Sequence, residues 1–313
     1  MSRLRVVGIV GLGCLAAACE GVPPTGVVDQ PVLGAELSTN DPAVVALMAN
    51  GNVFCTGTLI SPRVVLTAGH CVDGLGANGS VFFGDFVGGT GLTVTIAFSQ
   101  NHPLWNGDLA NGHDVGLVLL ANPQDPALPV KLSRVDLSTI IGQEYRVVGF
   151  GIHDRVTQEL DGNKRTAVME IATIASLNDD YVELTDIDPT MDPDTAICQG
   201  DSGGPGFITV GGEELLAGTH SYSIQGCFNP SGDSRVHKFI DEFIQPFIDT
   251  MDTTCQEDGI CAHACTSDPD CMPCGADGTC ATTCELPDVD CPTQNIGEIC
   301  RGDTQCMSGM CVN

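Results

Sequence analysis

The sequence predicts an all-β protein, a barrel or a sandwich. Short apolar runs recur from residue 32 to about 250, among them Val44–Met48, Arg63–Thr67, Val81–Phe83, Leu92–Phe98, Val115–Leu120 and Arg146–Phe150. Each is of strand length, and Gly, Asn, Asp and Pro separate them at fairly regular spacing. One stripe breaks the pattern. Val236, Phe239, Ile240, Phe243, Ile244, Phe247 and Ile248 recur at steps of three and four, which predicts a helix packed on the β-structure.

The 313 residues suffice for one domain of roughly 200 residues and a smaller module. Acids outnumber bases 40 to 12, for a formal net charge of -28. A phosphate backbone repels such a chain, so no nucleic-acid partner is expected. The 17 cysteines point to an oxidising compartment or to metal ligation. The N-terminus favours export. Arg3 and Arg5 precede the apolar run Val6–Ala18, which is of signal-peptide length and too short to span a bilayer. Leu15-Ala16-Ala17-Ala18-Cys19 resembles a bacterial lipoprotein cleavage box, with Leu15 one place further from the cysteine than usual. Residues 1–19 are therefore expected to be a signal peptide, with lipid on Cys19 and attachment to a membrane. Export then ends in a bacterial cell envelope or in the medium. Residues 20–31 read as a linker or propeptide.

Residues 251–313 form a cysteine-rich tail with eleven cysteines between positions 255 and 311. Cys255, Cys261, Cys265 and Cys271 are repeated by Cys274, Cys280, Cys284 and Cys291, and Cys300, Cys306 and Cys311 follow. A segment this poor in apolar runs needs covalent cross-links, and spacing leaves their connectivity open. Export and the lack of paired C-x-x-C motifs weigh against zinc. Asp258, Asp268, Asp270, Asp277, Asp288 and Asp290 repeat with the cysteines; they read as solvated turn acids, with calcium as the alternative. The tail is expected to serve as a stalk, a protective device or a module for an unknown surface partner. No other cofactor or metal is expected.

Acyl transfer by a serine needs a base to take its proton, an acid to orient the base, and fixed N–H donors for the oxyanion. Three blocks offer these. Cys198-Gln199-Gly200-Asp201-Ser202-Gly203-Gly204-Pro205 places a serine among glycines that let the backbone turn sharply. Thr67-Ala68-Gly69-His70-Cys71 supplies a histidine. His113-Asp114-Val115-Gly116-Leu117-Val118-Leu119-Leu120 opens an apolar strand with an acid.

These blocks resemble the trypsin/chymotrypsin family of serine proteases in composition and in the order His, Asp, Ser. Cys55-Thr56-Gly57-Thr58-Leu59-Ile60 resembles that family's CGGSLI strand, Val148-Gly149-Phe150-Gly151 its VTGWG segment, and Ser221-Tyr222-Ser223 its SWG strand. The resemblance covers residues 32–250. It implies two antiparallel β-barrels with a C-terminal helix, and a serine endopeptidase acting on proteins or peptides. His70, Asp114 and Ser202 are the implied triad. The N–H groups of Gly200 and Ser202 are the implied oxyanion hole, and Ser221 the implied support for Asp114. The implied disulfides are Cys55–Cys71 and Cys198–Cys227.

The sequence also departs from the family. Members are commonly cut after Arg or Lys, and the new amine pairs with the acid before the nucleophile, here Asp201. The matching terminus would be Val32, but Pro31 precedes it. Either another protease cuts there or Asp201 finds another cation. Ala196 stands where trypsin-like members carry the acid of the specificity pocket, with Ser223 and Gly232 at the rims. This argues for an apolar or mid-sized side chain at the cleavage site. Asp233 reads as a surface-loop acid, with reach into the pocket as the alternative. The other histidines, His220 among them, read as structural or surface residues. A catalytically silent binding or adhesion protein on the same scaffold, and a structural surface protein working through its tail, are the rival functions.

Overall fold

The computed structural model describes residues 35–252, apart from 77, 125–128, 155, 188–194 and 225–226. The signal segment, Cys19, Val32 and the cysteine-rich tail lie outside the described residues.

A short strand β1 (Glu36–Leu37) opens the described chain. Six antiparallel strands then close a first barrel: β2 (Val44–Ala49), β3 (Asn52–Leu59), β4 (Val64–Thr67), β5 (Ser80–Phe83), β6 (Leu92–Asn101) and β7 (Gly116–Leu120), in the order β2-β3-β4-β7-β6-β5. A second barrel follows with β8 (Glu144–Gly149), β9 (Arg165–Ile174), β10 (Tyr181–Asp186), β11 (Pro205–Val210), β12 (Glu213–Ile224) and β13 (Phe228–Arg235). Its order is β8-β9-β10-β13-β12-β11, closed by pairing of β11 with β8, and β1 adds to β9. The expected all-β architecture of two antiparallel barrels is thus present.

The strands read as continuous apolar runs because they serve two cores. Successive side chains of a strand point to opposite faces. In β2, Val45 and Leu47 fill the first barrel, whereas Val44, Ala46 and Met48 face outward into the cluster between the barrels. β4 and β7 divide likewise: Val65, Val118 and Leu120 point in, and Val64, Leu66, Leu117 and Leu119 point out. The second barrel is filled by Tyr145, Val147, Met169, Ile171, Val182, Leu184 and Ile208, while Val148 and Phe150 turn to the shared cluster.

The predicted C-terminal stripe joins that cluster with all seven of its members. Its backbone is less regular than the periodicity implies. A 3-10 turn over Val236–Lys238 passes into a π-helical stretch over Ile240–Ile244, and only Gln245–Met251 is α-helical. Pro246 stands in the first turn of that α-helix, where its missing N–H costs nothing.

Candidate active site

The site lies between the barrels, with its parts drawn from both. His70 sits on a short helix, α1 (Gly69–Leu75), of about two turns, directly after β4. Asp114 immediately precedes Val115 and β7 and is fully buried. β4 pairs with β7, so His70 and Asp114 emerge at the same end of the two strands. Asp114 Oδ1 accepts the His70 backbone N–H at 2.8 Å, and Oδ2 lies 2.8 Å from His70 Nδ1. Ser221 donates its hydroxyl to the same Oδ2 at 2.6 Å. A buried carboxylate with three hydrogen-bond partners is fixed in place, and it fixes the imidazole. The His70 ring stays about one third exposed, open to a reactant.

Ser234, which the sequence reading did not single out, donates to the backbone oxygen of Asp114 at 2.9 Å. A register shift on β12 lies between His220 and Tyr222, at Ser221, where β12 meets β13. Such a bulge re-aims a side chain, here toward Asp114. Nothing local in the sequence marks it.

Ser202 arrives from the second barrel on a turn tied down along its length. Thr56 N–H donates to Ser202 O at 2.8 Å, Thr56 Oγ1 donates to Gly200 O at 2.8 Å, and Gly203 N–H donates to His220 O at 2.7 Å. Gly200 has φ +96° and Gly203 φ +81°, a region that favours glycine. A Cβ on Gly203 would fall 1.9 Å from Thr67 Oγ1. Among the described residues, neither Gly200 N–H nor Ser202 N–H donates to a protein acceptor, so both are available to an oxyanion.

Cys55 of β3 is bonded to Cys71, next to His70, and Cys71 Sγ lies 3.5 Å from Ser202 O. This disulfide brings His70 and Ser202 into one neighbourhood. No hydrogen bond joins Ser202 Oγ to His70 among the described residues, and such contacts often tighten only around a reactant. Cys55, His70 and Cys71 have metal-ligand spacing, yet the sulfurs are bonded to each other and offer no thiolate.

A second disulfide joins Cys198 to Cys227. Ala196 is fully buried in a small cluster with Ile152, Cys198 and Cys227. Gly232 pairs with Tyr222, and a Cβ on it would lie 2.2 Å from the Tyr222 ring. It therefore faces away from Ser231 and Asp233, its neighbours on β13. Ser231 Oγ accepts the Ile197 N–H at 3.3 Å.

Asp233 is not a surface-loop acid. It is fully buried in β13, because its carboxylate meets His220 Nδ1 at 2.9 and 3.0 Å and accepts the Tyr145 hydroxyl at 2.9 Å. Asp201 is buried as well. Its oxygens accept the N–H of Gly151 at 2.7 Å and of Cys198 at 2.9 Å. Burial pushes its carboxyl up to about 6, against the opposing pull of those N–H groups and of His220.

A family model described as "Trypsin" matches residues 34–241. A glucanase inhibitor protein (number 4) of Phytophthora infestans is 31% identical over 165 residues, covering 50% of this chain and 62% of its own length. Human granzyme M is 27% identical over 218 residues, covering 64% of this chain and 81% of its own. A trypsin of Saccharopolyspora erythraea is 30% identical over 205 residues, covering 60% and 84%. Among solved structures, neuropsin, a serine protease of mouse brain, superposes with a TM-score of 0.56 at 22% identity, covering 66% of this chain and 96% of its own.

Proposed function

Because this chain belongs to the trypsin family, we propose that it is a serine endopeptidase working through an acyl-enzyme, with His70, Asp114 and Ser202 as its triad. The observation that carries this reading is the buried Asp114, which holds His70 by both its backbone N–H and its ring Nδ1 while Ser221 holds the acid.

His70 takes the Ser202 proton as Ser202 Oγ attacks the substrate carbonyl carbon. The carbonyl oxygen becomes an oxyanion facing the N–H groups of Gly200 and Ser202. The tetrahedral intermediate then collapses. The C–N bond breaks, and His70 passes its proton to the leaving amine. Water repeats the sequence on the ester, with its proton going to His70 and then back to Ser202. Asp114 keeps the proton-accepting nitrogen of His70 directed at the serine throughout.

At Ala196 no carboxylate waits for Arg or Lys, and Asp233 is committed to His220 and Tyr145. An apolar or mid-sized side chain at the cleavage site fits this lining. Export through residues 1–19 is supported by the two disulfides, which belong to an oxidising compartment, and lipid on Cys19 is proposed from the cleavage-box resemblance. Among the described residues, no helix is long and apolar enough to cross a membrane.

A fluorophosphonate probe tests the enzyme reading. The purified chain is expected to take up one equivalent at Ser202, and Ser202→Ala to take up none. A relative named for inhibiting a glucanase favours a second reading, a silent binding protein on the same scaffold. Absence of labelling, both in the intact chain and in a chain beginning at Val32, would decide for it.

A further inference from the structure

We propose that Asp180 is a positioning residue for the triad acid: its carboxylate, reaching across from the second barrel, holds His113 in the left-handed backbone region, and that bend aims Asp114 at His70. This rests on the serine-protease reading above and adds how the backbone beneath Asp114 is set.

His113 has φ +64°, in a region that residues with a Cβ seldom enter. Such a conformation persists only where the surroundings impose it. Asp180 imposes it here, because Asp180 Oδ2 accepts the His113 backbone N–H at 3.1 Å. The carboxylate is seated directly on the bend. A Cβ on the preceding Gly112, itself at φ +71°, would fall 2.1 Å from the same oxygen. A second grip comes from Asn178, whose side-chain N–H donates to Ala110 O at 3.1 Å. The His113 ring adds to the hold. Its Nδ1 donates to Asn111 O at 2.9 Å, and it stacks on buried His102 with ring centroids 4.8 Å apart.

The clamp is itself fixed. Asp180 lies in the loop between β9 and β10 and is about 7% exposed. Its N–H donates to Asn178 Oδ1 at 2.9 Å, and its backbone oxygen accepts the Arg235 N–H at 2.8 Å. Lys238 Nζ lies 2.7 Å from Asp180 Oδ1, which leaves Oδ2 for His113. A buried carboxylate tied at backbone and side chain has one orientation available to it.

The consequence falls one residue further on. Val115 N–H donates to His113 O at 2.7 Å and closes a three-residue turn centred on Asp114. In so tight a turn, the backbone of His113 fixes the direction in which the Asp114 Cα–Cβ bond leaves the chain. Ser234 secures the far side by donating to Asp114 O at 2.9 Å. From there Asp114 reaches the N–H and the Nδ1 of His70, each at 2.8 Å. Were His113 to relax to the ordinary β region, that bond would turn and the carboxylate would leave both contacts. Asp180 touches no reacting atom. It acts through the backbone, and it makes the aim of an acid and a base carried by the first barrel depend on the docking of the second.

The test measures kcat and KM on a peptide substrate with the full chain, cut at Val32 where labelling of Ser202 requires it. Asp180→Ala is expected to lower kcat about ten-fold, with KM within about two-fold of wild type. Adding His113→Gly to that variant is expected to return most of the lost kcat, because glycine enters the left-handed region without a clamp. Its Tm should nevertheless fall further, since the stack on His102 is lost as well. A merely structural Asp180 gives the opposite pattern, with kcat following Tm downward in the double variant. That pattern overturns the proposal, and so does a wild-type kcat in Asp180→Ala. Should Asp180→Ala not fold by circular dichroism, His113→Val with Asp180 in place tests the same bend, because a β-branched residue resists positive φ. A loss of kcat of about ten-fold is expected there as well, and a wild-type kcat overturns the proposal. A wild-type chain that labels in neither form removes the protease reading and this proposal with it, whereas a labelling wild type with unaltered variants removes the proposal alone.

Discussion

Gly69 stands beside His70, and a Cβ there would lie 3.1 Å from both Asp114 Oδ1 and the Trp105 ring. An alanine there makes Asp114 or Trp105 give by a few tenths of an ångström, which disturbs the carboxylate's hold on His70. Gly69→Ala is expected to lower kcat about ten-fold, or ~1.4 kcal/mol, with little change in KM and a small loss in Tm. Asp201 carries a pH signature. Burial holds its folded value at about 6 against an ordinary 3.8. The folded state therefore binds this proton more tightly than the unfolded chain does. Its contribution to stability is fully present below about pH 4 and declines by ~3 kcal/mol as pH rises to about 6, then stays level. Urea midpoints between these limits should show that decline in the wild type and lose it in Asp201→Asn. Gly69 and Asp201 are written in the contiguous blocks around His70 and Ser202, so these residues were legible at once. What surrounds each of them was not.

At the scale of elements, strands that alternate between two cores are unusually sensitive. Leu117 faces the cluster between the barrels and is fully buried. Leu117→Ala is expected to cost ~2–5 kcal/mol, read as a lower urea midpoint. Phe243, on the π-helical stretch, packs into the same cluster and against His102 at a ring-centroid distance of 5.0 Å. Phe243→Ala should cost ~3–5 kcal/mol and also lower activity, because that cluster sets how the barrels meet around His70, Asp114 and Ser202. Apolar runs predicted the strands, and the steps of three and four predicted the terminal stripe. The 3-10 and π turns within that stripe were not legible, since side-chain spacing is blind to which backbone acceptor each N–H selects. The bulge at Ser221 was hidden for the same reason.

The whole molecule carries a net charge of -28 with 12 basic residues. Self-repulsion at this level is relieved by screening, so raising salt from low to moderate ionic strength should raise Tm by roughly a few degrees. A differential scan across sodium chloride concentrations reads it directly, and an unchanged or falling Tm would show that local pairing outweighs net repulsion. Several bases are already paired with acids across elements. Arg146 bonds Asp41 at 2.8 Å and Glu214 at 2.5 Å, and buried Lys164 meets Asp85 at 3.0 Å.

By itself the sequence determined which residue types stand in the candidate site, the order in which the chain presents them, and the strands that carry them. Those features are local: a motif, a cap or an apolar run lies within a dozen residues, and its physics acts along the chain. Only the tertiary structure decided who stands behind them. Ser221 meets Asp114 across 107 residues, Ser234 meets it across 120, and Tyr145 meets Asp233 across 88. Strand register and one bulge select these partners. The same register turned Asp233 from an expected surface acid into the buried partner of His220, because a one-residue change of face decides whether a strand residue meets solvent or core.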